Sequence, residues 1–127
     1  MAKNILVIDD EESIRQSFVL ALEDTPYKLD TVSSGDDAIK KVSHKKHDLI
    51  FLDLKMPGKD GAETLKEIRA LDKTTPVYII TAYHKEFLDK LKYLRSKGLA
   101  FEVIEKPIGI DEINLIVKAI FEGPFTY

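Results

Sequence analysis

Hydrophobic residues along the chain form four short runs, and each run leads to a polar or charged side chain. The runs cover residues 5–8, 49–52, 77–80 and 101–104. Runs of this length are typical of strands that are buried on both faces of a parallel sheet. A fifth and more polar strand is predicted over residues 28–32.

Five amphipathic segments alternate with these strands. Apolar residues three or four positions apart predict helices over residues 12–23, after Ser34, after Gly61, over residues 84–96 and from about residue 110. A glycine at position 98 is placed to end the fourth helix. The side chains expected to face the core are Ile14, Phe18, Leu20, Ala21, Leu22, Ala38, Ile39, Val42, Leu65, Ile68, Leu71, Phe87, Leu88, Leu91, Leu94, Ile113, Ile116, Val117 and Ile120.

This alternation predicts an α/β fold in a single domain over residues 1–127, with a short tail from about residue 122. Right-handed crossovers place helices on both faces of a five-stranded parallel sheet. The order 2-1-3-4-5, as in flavodoxin-like (βα)5 folds, is the common solution for five strands and puts the switch point between the first and third strands. A ligand site is therefore expected beyond the ends of those two strands.

Composition narrows the range of functions. The 127 residues are 44% hydrophobic and 32% charged, which is ordinary for a globular protein. The net charge of −3 and the dispersed lysines give no sign of direct nucleic-acid binding, and His44 and His47 are expected to be surface residues in a lysine-rich stretch. The absence of cysteine excludes disulfides and thiolate metal sites, and no signal peptide or membrane span is apparent. A soluble, cytoplasmic protein is expected.

Reactive side chains stand where the strands end. Because parallel strands end at the same edge of the sheet, Asp9, Asp10, Asp53, Thr81 and Lys106 should meet in one crevice. Any single one of these aspartates could be a helix cap, and the threonine and lysine could be ordinary surface residues, but the joint arrangement favours a site. Neighbouring carboxylates repel by several kcal/mol at an effective dielectric constant of about 20, so they require a cation or raised pKa values. Mg²⁺ suits such oxygen ligands best, and Mn²⁺ would substitute.

Asp53 differs from the other aspartates in its neighbours. It precedes a stretch, residues 54–61, whose proline and two glycines must turn sharply. A carboxylate placed there is a plausible nucleophile toward phosphorus, forming an aspartyl phosphate. The Lys106 ammonium, the Thr81 hydroxyl and the Ala82 N–H would then stabilise the phosphoryl oxygens.

Together these motifs resemble the receiver domain of two-component response regulators over about residues 3–121. The matching elements are Asp9-Asp10-Glu11, the segment from Asp53 to Gly61, Thr81-Ala82 and Lys106-Pro107. Residues 53–58 and 81–83 are similar to those of the single-domain intermediate of the sporulation phosphorelay.

The resemblance implies a role for each site residue and a cis peptide bond before Pro107. Asp53 would be the phosphoacceptor, and Asp10, Asp53 and the Lys55 carbonyl would bind Mg²⁺ directly. Asp9 would act mainly through a metal-bound water, while Thr81 and Lys106 would contact the phosphoryl group.

The sequence departs from the family in the region that transmits the signal. The segment between Thr81 and Lys106 is longer than in the members that it most resembles, and Val103 stands where an aromatic residue is usual. Phe101 is the nearest aromatic, for which ordinary core packing is the slightly favoured alternative to a switching role. The expected output surface is formed by the fourth helix, fifth strand and fifth helix, with Tyr83, Phe101 and Val103 as the candidate switch residues.

The predicted function is a phosphorylation-driven switch rather than a turnover enzyme. The expected partners are a histidine kinase or histidine phosphotransfer protein and a downstream protein or fused output domain, with the chain a monomer or weak homodimer. The aspartyl phosphate should be long-lived, because Lys55 and Tyr83 should flank the path of the attacking water and neither is suited to orienting it.

Two alternatives remain open from the sequence. A phosphatase or phosphotransferase of the haloacid dehalogenase type also uses a strand-end aspartate with Mg²⁺. Asp9-Asp10-Glu11 lacks the second catalytic aspartate of that family, however, and the chain is too short for a substrate-capping domain. The second alternative is the isolated receiver of a longer DNA-binding regulator.

Overall fold

Five strands and five helices alternate along the chain in the computed structural model, which describes residues 2–82, 85 and 87–123. The elements are β1 Asn4–Ile8, α1 Glu12–Leu22, β2 Lys28–Val32, α2 Gly35–His44, β3 Leu49–Asp53, α3 Gly61–Leu71, β4 Val77–Thr81, α4 Leu88–Ser96, β5 Glu102–Glu105 and α5 Ile110–Glu122. The strands form one parallel sheet in the order β2-β1-β3-β4-β5. This confirms the predicted fold class and strand order.

A separate hydrophobic core covers each face of the sheet. Successive strand side chains point to opposite faces, so Leu6 and Ile8 of β1 face α2, α3 and α4, whereas Ile5 and Val7 face α1 and α5. Both central strands, β1 and β3, are almost wholly buried. Their continuous apolar sequences are explained by this burial on two sides.

The structure confirms two predicted helix boundaries, the start of α2 and the end of α4. The Ser34 hydroxyl accepts a hydrogen bond from the Asp37 N–H at 3.2 Å and caps the start of α2. At the end of α4, Gly98 has φ +78°, its N–H donates to the Arg95 carbonyl at 2.9 Å, and the Leu99 N–H donates to the Leu94 carbonyl at 3.2 Å. These are the paired bonds of a Schellman C-cap, for which glycine is the favoured residue.

Three leucines predicted to face the core are exposed instead. The exposed fractions are 52% for Leu20, 54% for Leu71 and 38% for Leu88. Leu20 lies two positions from both Phe18 and Leu22, which places it on the opposite side of α1. Leu71 and Leu88 are the last residue of α3 and the first residue of α4, so each lies at a helix end.

The surface prediction is right for His44 and wrong for His47. His44 is exposed, whereas only 1% of His47 is accessible and its Nε2 lies 2.9 Å from an Asp30 carboxylate oxygen. His47 lies in the connection between α2 and β3, and its carbonyl accepts a hydrogen bond from the Thr75 hydroxyl at 3.0 Å. The lysine-rich sequence around His47 gave no indication of this burial. Lys45 is exposed and pairs with the same Asp30 carboxylate at 2.9 Å.

Phe101 is a core residue, as the alternative interpretation held. It is 4% exposed and packs among the side chains of the α2–α3–α4 core. The Arg95 guanidinium lies 4.2 Å from the ring centroid, and its Nη2 donates to the Phe101 carbonyl at 3.1 Å. Val103 pairs with Ile79 of β4 and packs against the same core.

Candidate functional site

The carboxyl edge of the sheet brings the predicted site residues together. Asp9 directly follows β1, Asp53 ends β3, Thr81 ends β4 and Lys106 directly follows β5. The Lys106 N–H donates to the Thr81 carbonyl at 2.9 Å, which fixes the two strand ends side by side. The peptide bond between Lys106 and Pro107 is cis, as the family resemblance implied.

Three carboxylates converge at the centre of this edge. One ligand oxygen from each of Asp9, Asp10 and Asp53 lies within 4.8 Å of the other two. Asp9 and Asp53 are buried, with 1% and 4% of their surface accessible, whereas Asp10 is exposed. The predicted convergence at the switch point is therefore present.

Lys106 reaches over the cluster from β5. Its Nζ lies 3.3 Å from Asp9 Oδ2, 3.5 Å from Asp53 Oδ1 and 3.2 Å from Glu11 Oε1. Burial alone would lower the pKa of Lys106, but the charges of Asp53 and Asp9 and the hydrogen bond to Glu11 raise it above its ordinary value. The side chain is therefore an ammonium, and it contacts two buried carboxylates, Asp9 and Asp53, and one exposed carboxylate, Glu11.

The negative charge of the three aspartates is greater than the positive charge of Lys106. Burial, followed by the nearby Asp9 charge, raises the pKa of Asp53 to about 8, although Lys106 acts in the opposite direction. Burial likewise raises the pKa of Asp9. Asp9 Oδ1 accepts a hydrogen bond from the Glu11 N–H at 2.9 Å. Asp9 Oδ2 is buried, lies 3.3 Å from Lys106 Nζ and has no hydrogen-bond partner among the described residues. An additional cation would relieve this excess.

The loop after Asp53 is held close to the site by its own packing. Leu54 and Met56 are buried, while Lys55 between them is exposed. Gly61 begins α3, and its N–H donates to the Leu54 carbonyl at 2.9 Å. A Cβ at position 61 would lie only 2.4 Å from the Asp53 carbonyl oxygen, so this approach requires glycine.

Two of the candidate switch residues, Phe101 and Val103, are not part of this cluster. Phe101 lies in the core before β5, and Val103 lies within that strand. Tyr83 falls outside the described residues. Thr81, in contrast, ends β4 at the site and is 1% exposed.

Sequence reasoning did not assign a role to Glu11 or Arg15. Glu11 contacts Lys106 as described above, and Arg15 Nη1 donates to the Asp9 carbonyl at 2.7 Å. Arg15 lies one helical turn after Glu11, so both contacts arise where α1 begins at the carboxyl edge of β1. Glutamate is not a favoured helix-capping residue, so its position directly before α1 hinted at another role, but the sequence did not identify Lys106 as its partner.

Comparison with known proteins identifies the family. The family model of the response regulator receiver domain matches residues 5–118. The chain belongs to this family. It is 35% identical to sporulation initiation phosphotransferase F of Bacillus subtilis, covering 93% of each chain. It is also 41% identical to the alkaline phosphatase synthesis transcriptional regulatory protein PhoP of Bacillus subtilis, covering 94% of this chain and 49% of that protein.

Solved structures with the same fold include two chains that this chain covers almost completely. The response regulator protein TrrA from Thermotoga maritima, solved in complex with Mg²⁺–BeF, has a TM-score of 0.77 and 35% identity, covering 94% of this chain and 99% of that one. Chemotaxis protein CheY4 of Vibrio cholerae has a TM-score of 0.81 and 25% identity, with coverage of 95% and 100%. These matches confirm the flavodoxin-like receiver fold.

The family assignment settles the general function. The chain is a receiver domain of two-component response regulators, and the haloacid dehalogenase alternative is not favoured. Receiver domains are signalling switches that bind Mg²⁺ at an acidic pocket and act with histidine kinases or phosphotransfer proteins and with output domains. The chain spans about half the length of the curated relatives PhoP and ResD. Within the described ranges, none of the helices combines the length and hydrophobicity needed to cross a membrane.

Proposed function

We propose that Asp53 accepts a phosphoryl group from the phosphohistidine of a kinase or phosphotransfer protein, and that the chain then signals through a change of conformation. An Asp53 carboxylate oxygen would form the new bond to phosphorus while the bond between phosphorus and the histidine nitrogen breaks. The observation that carries this proposal is the buried Asp53 carboxylate, which lies 3.5 Å from the Lys106 ammonium and beside two further carboxylates.

The residues present fit a divalent cation. The donors are all oxygen atoms, Asp9 Oδ2 is buried without a hydrogen-bond partner among the described residues, and the pKa of Asp53 is raised by burial and by the Asp9 charge. Asp10, Asp53 and the Lys55 carbonyl would hold Mg²⁺ directly, with Asp9 acting through a bound water, and Mn²⁺ would substitute. When bound, the ion would neutralise charge on the phosphoryl oxygens.

In this proposal, separate groups of the chain act as nucleophile and as donors to the phosphoryl oxygens. Asp53 must be ionised to attack, and positive charge at the cluster favours that form over the protonated form. The Lys106 ammonium would move from the carboxylates toward the incoming phosphoryl oxygens, and the Thr81 hydroxyl and Ala82 N–H would donate to them. Leu54 and Met56, both buried, would anchor the backbone that follows Asp53.

A phosphorylation assay tests the acceptor. Incubation with acetyl phosphate and Mg²⁺ should add one phosphoryl group per chain to the wild type and none to Asp53→Ala. Asp24→Asn is a matched control, because that side chain is exposed and follows the far end of α1, whereas the start of α1 lies at the site. Labelling of Asp53→Ala to the wild-type level would contradict the assignment.

Metal binding tests the second role. Asp10→Ala should weaken Mg²⁺ binding strongly, since it removes one of only two direct carboxylate ligands. Titration calorimetry with Mg²⁺ measures the loss, and an unchanged affinity would remove Asp10 from the metal site.

The chain should be a switch rather than a turnover enzyme. We expect a single labelled phosphoryl group per chain and no steady hydrolysis of a phosphomonoester such as p-nitrophenyl phosphate. Sustained turnover that depends on Asp53 would favour a phosphatase instead.

The proposed setting is cytoplasmic, with residues 1–127 as one receiver domain and the chain as a monomer or weak homodimer. The output is either a separate downstream protein, as the match to sporulation initiation phosphotransferase F supports, or a fused DNA-binding domain, as the match to PhoP supports. Sequencing the complete native reading frame beyond Tyr127 distinguishes the two.

A further inference from the structure

The Glu11 side chain contacts the Lys106 ammonium. Glu11 Oε1 lies 3.2 Å from Lys106 Nζ and accepts a hydrogen bond from it. The two residues are 95 positions apart, so the contact depends on the fold bringing the start of α1 to the end of β5. It is the shortest of the three carboxylate contacts that Lys106 makes in the described part of the structure.

The position of Glu11 in its helix makes this contact unusual. Glu11 is the N-cap residue of α1, with extended backbone angles, yet its side chain makes no capping hydrogen bond. In contrast, the side chains of Ser34 and Asp60 cap α2 and α3. The Glu11 side chain therefore does not cap α1 and extends over the site to Lys106 instead.

Glu11 also differs in exposure from the other two carboxylates around Lys106. The Asp9 and Asp53 side chains are 2% and 4% exposed, whereas the Glu11 side chain is 56% exposed. When the ammonium leaves, water can solvate the Glu11 carboxylate at little cost, while the buried carboxylates cannot be solvated in this way. Glu11 is therefore the partner that Lys106 can exchange most easily.

We propose that Glu11 is a positioning residue that competes with the phosphoryl group for Lys106. In the unphosphorylated chain it holds the ammonium beside the acidic cluster, and it releases the ammonium when the phosphoryl group binds. Glu11 thereby lowers the affinity of the site for the phosphoryl group and shifts the balance toward the unphosphorylated state. This inference rests on the proposed function of Asp53 and Lys106.

The test uses beryllofluoride, a phosphoryl mimic, titrated in the presence of Mg²⁺ into the intact chain. Glu11→Gln keeps the size of the side chain and removes its charge, and it should bind the mimic about two- to fivefold more tightly than the wild type, the range expected of a partly exposed ion pair. Glu12→Gln is the matched control, since it removes an adjacent exposed carboxylate in the first turn of α1 and makes no contact with Lys106 in the structure. Its affinity should stay close to that of the wild type.

A double-mutant cycle separates competition for Lys106 from simple charge repulsion. In a Lys106→Ala background, Glu11→Gln should no longer tighten binding, because no ammonium remains to be released. The inference is overturned if Glu11→Gln binds no more tightly than the wild type, if Glu12→Gln gains as much, or if the gain persists without Lys106.

Failure of the proposed function would look different. In that case the wild type and every variant would show no Mg²⁺-dependent binding of the mimic, although thermal unfolding showed them all to be folded. Binding by the wild type with no gain in Glu11→Gln contradicts only the role of Glu11.

Discussion

At the scale of single residues, Gly61 sets the distance between α3 and the loop after Asp53, residues 54–60. A Cβ there would lie 2.4 Å from the Asp53 carbonyl oxygen and 2.6 Å from the Leu54 Cα, and neither backbone atom can rotate away. Gly61→Ala should therefore displace the loop, lower the free energy of unfolding by about 1–3 kcal/mol and slow phosphorylation of Asp53. Urea denaturation and acetyl phosphate labelling measure the two effects.

Gly109→Ala is the control for Gly61→Ala. A Cβ at Gly109 would meet its nearest neighbour, Glu112 Oε1, at 3.7 Å, which is ordinary contact. Its effect on stability should be smaller, and its rate of labelling should match the wild type. Equal effects of the two variants would mean that close packing at Gly61 is not what supports the loop.

Two further side chains should control how long the phosphoryl group persists. Lys55 is exposed two positions after Asp53, and Tyr83 stands two positions after Thr81 in the sequence. Hydrolysis requires a water in line with the bond between Asp53 and phosphorus, and neither side chain is suited to orient it. Lys55→Asn combined with Tyr83→Glu should shorten the half-life of phosphorylated protein. Decay of labelled protein gives the comparison, and decay no faster than in the wild type would rule out shielding by this pair.

At the scale of elements, the turn between α3 and β4 is organised around the Asp72 carboxylate. Asp72 accepts hydrogen bonds from the Thr74 and Thr75 N–H groups at 3.1 and 3.0 Å, from the Thr75 hydroxyl, and from Lys46 Nζ at 3.0 Å. Burial alone would raise the pKa of Asp72, but the Thr75 and Lys46 hydrogen bonds dominate and lower it well below its ordinary value. The ionised form therefore stabilises the fold.

The pH dependence of stability tests this turn. Because the folded-state pKa of Asp72 is depressed, its contribution is present above the ordinary aspartate pKa of about 4 and is lost as the pH falls below it. Asp72→Asn should lower the free energy of unfolding by about 1–3 kcal/mol near pH 7. The difference from the wild type should narrow in denaturation experiments below about pH 4. A constant difference down to pH 2 would show that ionisation of Asp72 is not the cause.

The elements were predictable from the sequence where burial imposes a clear period. The apolar runs of β1 and β3 predicted buried strands, and the polar residues at their ends predicted the acidic cluster, because parallel strands must end together. His47 and Glu11 were not predictable in the same way. Their environments depend on where the chain turns and on a contact with β5 across the fold, and neither leaves a periodic pattern in the sequence.

At the scale of the whole molecule, direct contacts join the loop after Asp53 to α4 and the end of β5 to the end of β4. Asp60 caps α3, and its other carboxylate oxygen lies 2.8 Å from Lys90 Nζ of α4. The backbone bond from Lys106 to Thr81 joins the ends of β5 and β4. Movement of the loop after Asp53 would therefore reach α4 through Lys90, and movement of Lys106 would act directly on the ends of β4 and β5. Contacts also lead to the other side, from Lys106 to Glu11 at the start of α1 and from Lys59 to Asp36 of α2.

We expect the signal to appear on the face formed by α4, β5 and α5. Phe101 is packed under Arg95 of α4, so a shift of β5 should be transmitted to that helix through the core. Amide hydrogen exchange with and without Mg²⁺ and beryllofluoride should change mainly in α4, β5, α5 and the segment around Gly98. Asp53→Ala under the same conditions is the control and should show no change. Exchange differences confined to α1 and α2 would contradict this output surface.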